Sequence, residues 1–192
     1  MSNRMLYLIP VVSFAVVACA AEKTEQMANT AAAPTAAERG KYLVTTGGCH
    51  DCHTPKVMGP QGPMIDSTRL FAGHPANEPI GPLPKDVPGP SGWIAATNAH
   101  QTAWVGPWGV SYAANLTPHA SGMGTWTEAQ FIATMRTGKH LGTGRPVLPP
   151  MPVASLAAST DEDLKAIFAY LQSVPAVDNT VPAPQPPAAP KN

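Results

Sequence analysis

Two cysteines three positions apart, with a histidine directly after the second, occur at one place in this chain: Cys49-His50-Asp51-Cys52-His53. Thiols at that spacing can each add across a vinyl group of one haem, and the adjoining histidine is then placed to bind the iron from one side. A haem held in this way fills the centre of a small domain, so the remaining chain has to fold around it. On spacing alone the pair could also be a disulfide-exchange motif, half of a zinc site, or two structural cysteines. The first calls for a thioredoxin-like alternation of strands and helices, and the second for another ligand pair at metal spacing. The sequence supplies neither. We therefore read Cys49 and Cys52 as the attachment points of one haem c, and His53 as the proximal iron ligand.

Helical patterns flank this motif. Thr35-Ala36-Ala37-Glu38 has the form of a capping box after Pro34, and Ala36, Gly40, Leu43 and Val44 then share one helical face. Gly40 stands inside that helix at a cost of about 1 kcal/mol relative to alanine, a cost often offset where a second helix comes close. Gly47-Gly48 ends the helix at the haem motif. A second helix is predicted from Thr127, with Gln130 completing a capping box, Phe131, Ile132 and Met135 on its apolar side, and Gly138 stopping it. A third begins at Thr160. Asp161, Glu162 and Asp163 suit the positive end of its dipole, Leu164, Ile167, Phe168 and Leu171 form its apolar stripe, and Pro175 ends it.

Residues 55–94 differ in kind. Nine prolines and six glycines fall in this stretch, which forbids a long helix and predicts an ordered, irregular loop around the haem edge. Pro60 or Pro63 can offer the backbone carbonyl that orients the His53 ring through its second nitrogen. Trp93, Trp104 and Trp108 are expected to wall the haem pocket or the core. Further on, Leu148-Pro149-Pro150-Met151-Pro152 places a thioether on a stiff extended segment, which suits a distal iron ligand at Met151. Met58, Met64, Met123 and Met135 compete for that role. Met58 and Met64 follow the haem motif so closely that the proximal side suits them better, and Met135 lies on the apolar side of a helix. Met123, between Gly122 and Gly124, is the serious rival, although a methionine between glycines loses more entropy on being fixed. Arg136, Lys139 and Arg145 cluster after the second helix. They are either a solvated face or a source of a donor for a haem propionate, for which Arg145 is a candidate.

The amino-terminal residues read as an export signal: Arg4, then an apolar run over residues 5–18 broken only by Pro10 and Ser13. Val16-Val17-Ala18-Cys19 resembles a bacterial lipobox, which makes Cys19 a candidate for lipidation; the other reading is an ordinary signal cut nearby, with Cys19 incidental. The chain has three cysteines, so lipidated Cys19 and two haem-bound thiols leave none free. Residues 19–34 are alanine-rich and polar, a flexible tether. Residues 35–175 form the expected domain, and residues 176–192 a proline-rich tail without core residues, disordered or laid along the surface. Basic and acidic residues number 12 each with no basic run, so nothing points to nucleic acid.

Arg39-Gly40-Lys41-Tyr42-Leu43, the Cys-x-x-Cys-His-Thr-Pro stretch, Asn115-Leu116-Thr117-Pro118, Trp126-Thr127, Arg136-Thr137-Gly138, Pro149-Pro150-Met151-Pro152 and Asp161-Glu162-Asp163-Leu164 follow one another in this order. Together they resemble a monohaem class I cytochrome c, and most closely the haem domains in the cytochrome subunits of bacterial membrane-bound alcohol and gluconate dehydrogenases. The resemblance covers about residues 36–175. It implies a mainly α fold, three or more helices around one haem, thioether bonds at Cys49 and Cys52, His53 and Met151 as axial ligands, and Gly40 and Tyr170 where the first and last helices cross. Those subunits carry three such domains where this chain has one, and Val153 stands where an aromatic residue often follows the Met-Pro pair. Two function classes follow. An electron carrier, tethered to a membrane and passing single electrons between redox proteins, has both axial positions filled. A haem enzyme or gas sensor needs an open or displaceable sixth position and a distal acid or base, for which His74, His100, His119 and His140 are available.

Overall fold

The computed structural model describes residues 32–83, 87 and 92–187. The export signal over residues 1–18, Cys19 and the tether up to residue 31 lie outside the described residues. The folded unit Ala33–Asn192 is mainly helical, with five helices and two small sheets among the described residues.

Helix α1, Ala36–Thr46, starts at a true capping box: the Thr35 hydroxyl accepts the Glu38 N–H, and the Glu38 carboxylate accepts the Thr35 N–H at 2.8 Å. Helix α5, Asp161–Leu171, is capped by Thr160, whose hydroxyl accepts the Asp163 N–H. The two helices cross at Gly40. A methyl group added there would overlap the Ala166 carbonyl and lie 2.8 Å from Tyr170 Cβ, so only glycine lets the backbones approach this closely. Ala36, placed on the same face by periodicity, is exposed, because the contact with α5 lies at Gly40, one turn further on. The Arg39 guanidinium pairs with Asp163 at 3.0 Å across the same crossing.

Helix α3, Glu128–Thr137, has the Thr127–Gln130 capping box and ends at Gly138 in the left-handed conformation. Arg136 on its last turn pairs with Asp161 at the start of α5, at 2.6 Å. The short helices α2, Cys49–His53, and α4, Val153–Ala157, complete the set. Val44, Phe71, Met123, Phe131, Leu164, Ile167, Leu171 and Val174 form the hydrophobic core between these elements.

The loop expected to be irregular contains strands. Strands β1, Lys56–Gly59, and β2, Gly62–Ile65, form an antiparallel hairpin with Val57 opposite Met64. After it, β3, Ala96–Thr97, pairs with β4, Ala103–Gly106, and β4 with β5, Gly109–Tyr112. Each strand is at most four residues long, and four of the five contain proline or glycine, so no alternation runs far enough to be read. Trp104 and Trp108 are half-buried on this sheet, whereas Trp93 is exposed and walls nothing in the core.

Order continues past residue 175. Val177 donates its N–H to the Thr117 hydroxyl, the Asn179 side chain donates to the carbonyls of Ala72 and His74, and Gln185 exchanges two backbone hydrogen bonds with Val110, at 2.8 and 2.9 Å. The proline-rich segment thus lies along the outer side of β5. For the crossing itself, Gly40→Val is expected to lower unfolding stability by about 2 kcal/mol or more through overpacking against α5, read as a lowered denaturant midpoint of the purified protein.

Candidate haem-attachment site

Helix α2 carries the whole pentapeptide. Gly48 precedes it at φ 67°, a left-handed turn that lets the chain leave α1 and re-enter a helix at once. At its other end the buried Lys56 ammonium donates to the carbonyls of His50 at 3.1 Å, Asp51 at 2.9 Å and Thr54 at 2.6 Å. One side chain therefore supplies a donor to the Asp51 and Thr54 carbonyls at the end of this five-residue helix, and a second donor to the His50 carbonyl, which also accepts the Thr54 N–H at 3.3 Å.

Cys49 and Cys52 are both free and half-buried. Burial, followed by the Asp51 carboxylate, pushes both thiols above their usual range. A disulfide-exchange motif needs the opposite, a stabilised thiolate. No group of three or more metal-binding side chains exists among the described residues.

His53 is 8% exposed, and burial lowers its affinity for a proton, keeping the ring neutral. Its Nδ1 lies 2.8 Å from the Ala114 carbonyl. As the carbonyl can only accept, Nδ1 carries the hydrogen and the Nε2 lone pair is free for a metal. This corrects the expectation placed on Pro60 and Pro63. Pro60 lies in the β1–β2 turn and Pro63 on β2, opposite the exposed Met58, while the orienting carbonyl comes from the segment just after β5.

Residues behind α2 lock it in place. The Thr54 hydroxyl accepts the Phe71 N–H at 3.0 Å and lies 3.0 Å from His50 Nδ1, while His53 O accepts the Gly73 N–H at 2.9 Å. Phe71, fully buried, holds φ 59°, a strained conformation for an aromatic residue, and its ring lies 4.0 Å from that of His50. Asp66 feeds the chain into this position: its carboxylate accepts from the Thr68 hydroxyl at 2.6 Å, from the Arg69 guanidinium at 2.7 Å and from the Thr68 N–H.

Met151 is half-buried, and its neighbour Pro149 accepts a hydrogen bond from Ser111 on β5. Met123 is 3% exposed within the hydrophobic core, with its carbonyl bonded to the Gln172 side chain. Met58 and Met64 are exposed on the hairpin, and Met135 packs against the core. Arg136 is committed to Ala157 and Asp161, whereas Arg145 is exposed and, among the described residues, its side chain donates to the adjacent Pro146 carbonyl alone, at 3.2 Å. Of the histidines weighed as distal groups, His74 is buried with Nδ1 facing the Thr102 hydroxyl and Nε2 facing the Glu78 carbonyl. His100 lies between the Lys56 N–H and the Glu78 carboxylate. Both are structural. Ala114, Ser111 and Asn179 escaped the sequence reading because their roles depend on contacts between distant segments, and Lys56 because its ammonium folds back on carbonyls two to six residues before it, which no spacing rule marks.

The family model for cytochrome c matches residues 37–175. The chain belongs to the cytochrome c family. As a cytochrome c with a single Cys-x-x-Cys-His motif, it binds one covalent haem c and carries electrons, and the free thiol pair, the neutral His53 and its committed Nδ1 fit that group. A nicotinate dehydrogenase subunit of Pseudomonas putida is 30% identical over 149 residues, 77% of this chain and 9% of the relative. The gluconate 2-dehydrogenase cytochrome c subunit of Pantoea cypripedii is 28% identical over 69% of this chain and 22% of the relative. The fructose dehydrogenase cytochrome subunit of Gluconobacter japonicus is 28% identical over 86% of this chain and 26% of the relative. This cytochrome c thus spans about a quarter or less of the length of these curated relatives.

The Thr68 hydroxyl, then the Arg69 guanidinium, hold the Asp66 carboxyl well below its ordinary 3.8, at about 2. A carboxylate with a lowered folded-state value contributes stability that is full above the unfolded value and is lost as pH falls through the folded one. Melting temperatures measured from about pH 5 down to about pH 2 are therefore expected to fall less in Asp66→Asn than in the wild type.

Proposed function

We propose that this cytochrome c is an exported, membrane-tethered carrier of single electrons in which His53 and Met151 occupy both axial positions of the haem iron. The observation that carries this reading is the commitment of His53 Nδ1 to the Ala114 carbonyl, which leaves one ring nitrogen for the iron and fixes its direction. Iron ligated on both sides has no vacancy for substrate; when bound, the haem cycles between ferric and ferrous by one electron. The chain's own residues do the rest. Cys49 and Cys52 hold the group covalently, α2 and Lys56 keep the thiols and His53 in register, and the proline-flanked segment supports Met151 as the distal ligand. Its soft thioether favours ferrous iron and raises the potential relative to two histidines.

Similarity to subunits of gluconate, fructose and nicotinate dehydrogenases supports a dehydrogenase as one redox partner. An oxidase or a further cytochrome is the natural class of acceptor. No helix among the described residues is long and apolar enough to cross a membrane, and in our reading the tether is lipid at Cys19, delivered outside the cytoplasmic membrane by the export signal. Arg145, exposed and bonded among the described residues to the adjacent Pro146 carbonyl, is proposed as a donor to a haem propionate.

Two experiments test these readings. Oxidised wild-type protein is expected to show the weak red absorption band of methionine-ligated ferric haem, and its ferrous form to bind no carbon monoxide. Met151→Ala should abolish the band and bind carbon monoxide stoichiometrically; if Met123→Ala removes the band instead, the distal ligand is Met123. For the anchor, wild-type protein should fractionate with membranes and carry lipid mass on its first residue, while Cys19→Ala should be released or left unprocessed. An unmodified wild-type protein cut elsewhere contradicts lipidation.

A further inference from the structure

Residues 149, 150 and 152 are prolines and have no N–H to donate. The segment that bears Met151 can therefore be fixed from outside chiefly through its carbonyls. Its internal bonds are local: Met151 N–H to the Leu148 carbonyl at 3.3 Å, and Val153 N–H to the Met151 carbonyl at 2.9 Å. Among the described residues, one hydrogen bond ties residues 148–151 to a distant part of the chain. It runs from the Ser111 hydroxyl to the Pro149 carbonyl at 2.6 Å. The same hydroxyl accepts the Trp108 indole N–H at 3.1 Å, so its single proton is directed at Pro149.

Ser111 is itself held rigidly. It is 7% exposed, it sits opposite Trp104 in the β4–β5 pair, and the preceding residue, Val110, exchanges both its backbone hydrogen bonds with Gln185 of the carboxy-terminal segment. Three residues further along is Ala114, whose carbonyl orients His53. A short stretch of β5 and its exit thus touches both segments that bear the axial ligands.

We propose that Ser111 is a positioning residue for the distal ligand: its hydroxyl, directed by Trp108, sets where the proline-bounded segment holds the Met151 sulfur. This rests on the reading of Met151 as that ligand. Without the bond, the Pro149 carbonyl loses the one distant partner it has among the described residues, and the segment can swing away from the iron while the helices stay packed. A competing anion then displaces the sulfur more easily.

The test is cyanide binding to the oxidised holo-protein, followed together with the red iron–sulfur band and with helical circular dichroism. Ser111→Ala is expected to bind cyanide roughly fivefold more tightly, the scale of one neutral hydrogen bond, and to lose the band at a lower temperature than its helices melt. Ser111→Thr, which keeps the hydroxyl, should return affinity to within about twofold of wild type. Trp108→Phe should move it in the direction of Ser111→Ala, and carries the same test if Ser111→Ala yields no holo-protein. Thr97→Val removes a different side-chain bond from the same sheet, to the Ala103 carbonyl, and should leave cyanide affinity unchanged. The proposal is overturned if Ser111→Ala and Trp108→Phe bind cyanide as wild type does, or if Thr97→Val shifts the affinity equally, since the effect is then general loss of stability. Survival of the red band in Met151→Ala is a separate failure: it removes the axial reading, and this inference with it.

Discussion

The hydrogen bond between His53 Nδ1 and the Ala114 carbonyl joins points 61 residues apart, and much of the structure between them serves to keep those two atoms in place. On one side, α2 is fixed by Lys56 at its carboxyl end and by Thr54 and Phe71 behind it. On the other, the backbone around Ala114 is pinned residue by residue. Ala113 bonds Thr102 and His74, Leu116 donates to the Phe71 carbonyl, and the buried Asn115 side chain accepts from Thr117 and donates to Val177 and Asn179. A histidine that must present Nε2 to a metal needs its other nitrogen fixed in this way, because ring rotation otherwise moves the lone pair off line.

The carboxy-terminal segment has a larger part than its composition suggests. Asn179 stitches the Asn115 loop to the backbone of residues 72–76, and Gln185 adds a backbone partner to the outer side of β5. Proline-rich chain suits this work, since it is extended before it docks and loses little conformational freedom in doing so. The small sheet thereby gains a partner along its β5 edge, and the chain leaving β5 is fixed closely enough to orient a side chain.

The parts legible from the sequence were those with local causes. Capping boxes at Thr35 and Thr127, the acidic first turn of α5, the stop at Gly138 and the inner glycine at position 40 each announce themselves within a few residues, and each stands where expected. The haem motif belongs to the same class, because its chemistry needs a fixed short spacing. What could not be read depends on tertiary contact. Pro60 and Pro63 were natural suppliers of a carbonyl by proximity in sequence, yet the carbonyl comes from Ala114 through a sheet too short to show periodicity. His74, in an isolated loop position, gave no sign of being buried between Thr102 and Glu78.

The central claim is that residues of this chain fill both axial positions, so that the protein carries electrons and leaves no site for substrate. Proton magnetic resonance of the reduced holo-protein tests it most directly, because a methyl group held against the haem face is moved by the ring current far upfield of all other signals. The account predicts one such methionine methyl, lost in Met151→Ala. A reduced protein that is paramagnetic and high-spin, with no upfield methionine methyl, would contradict it.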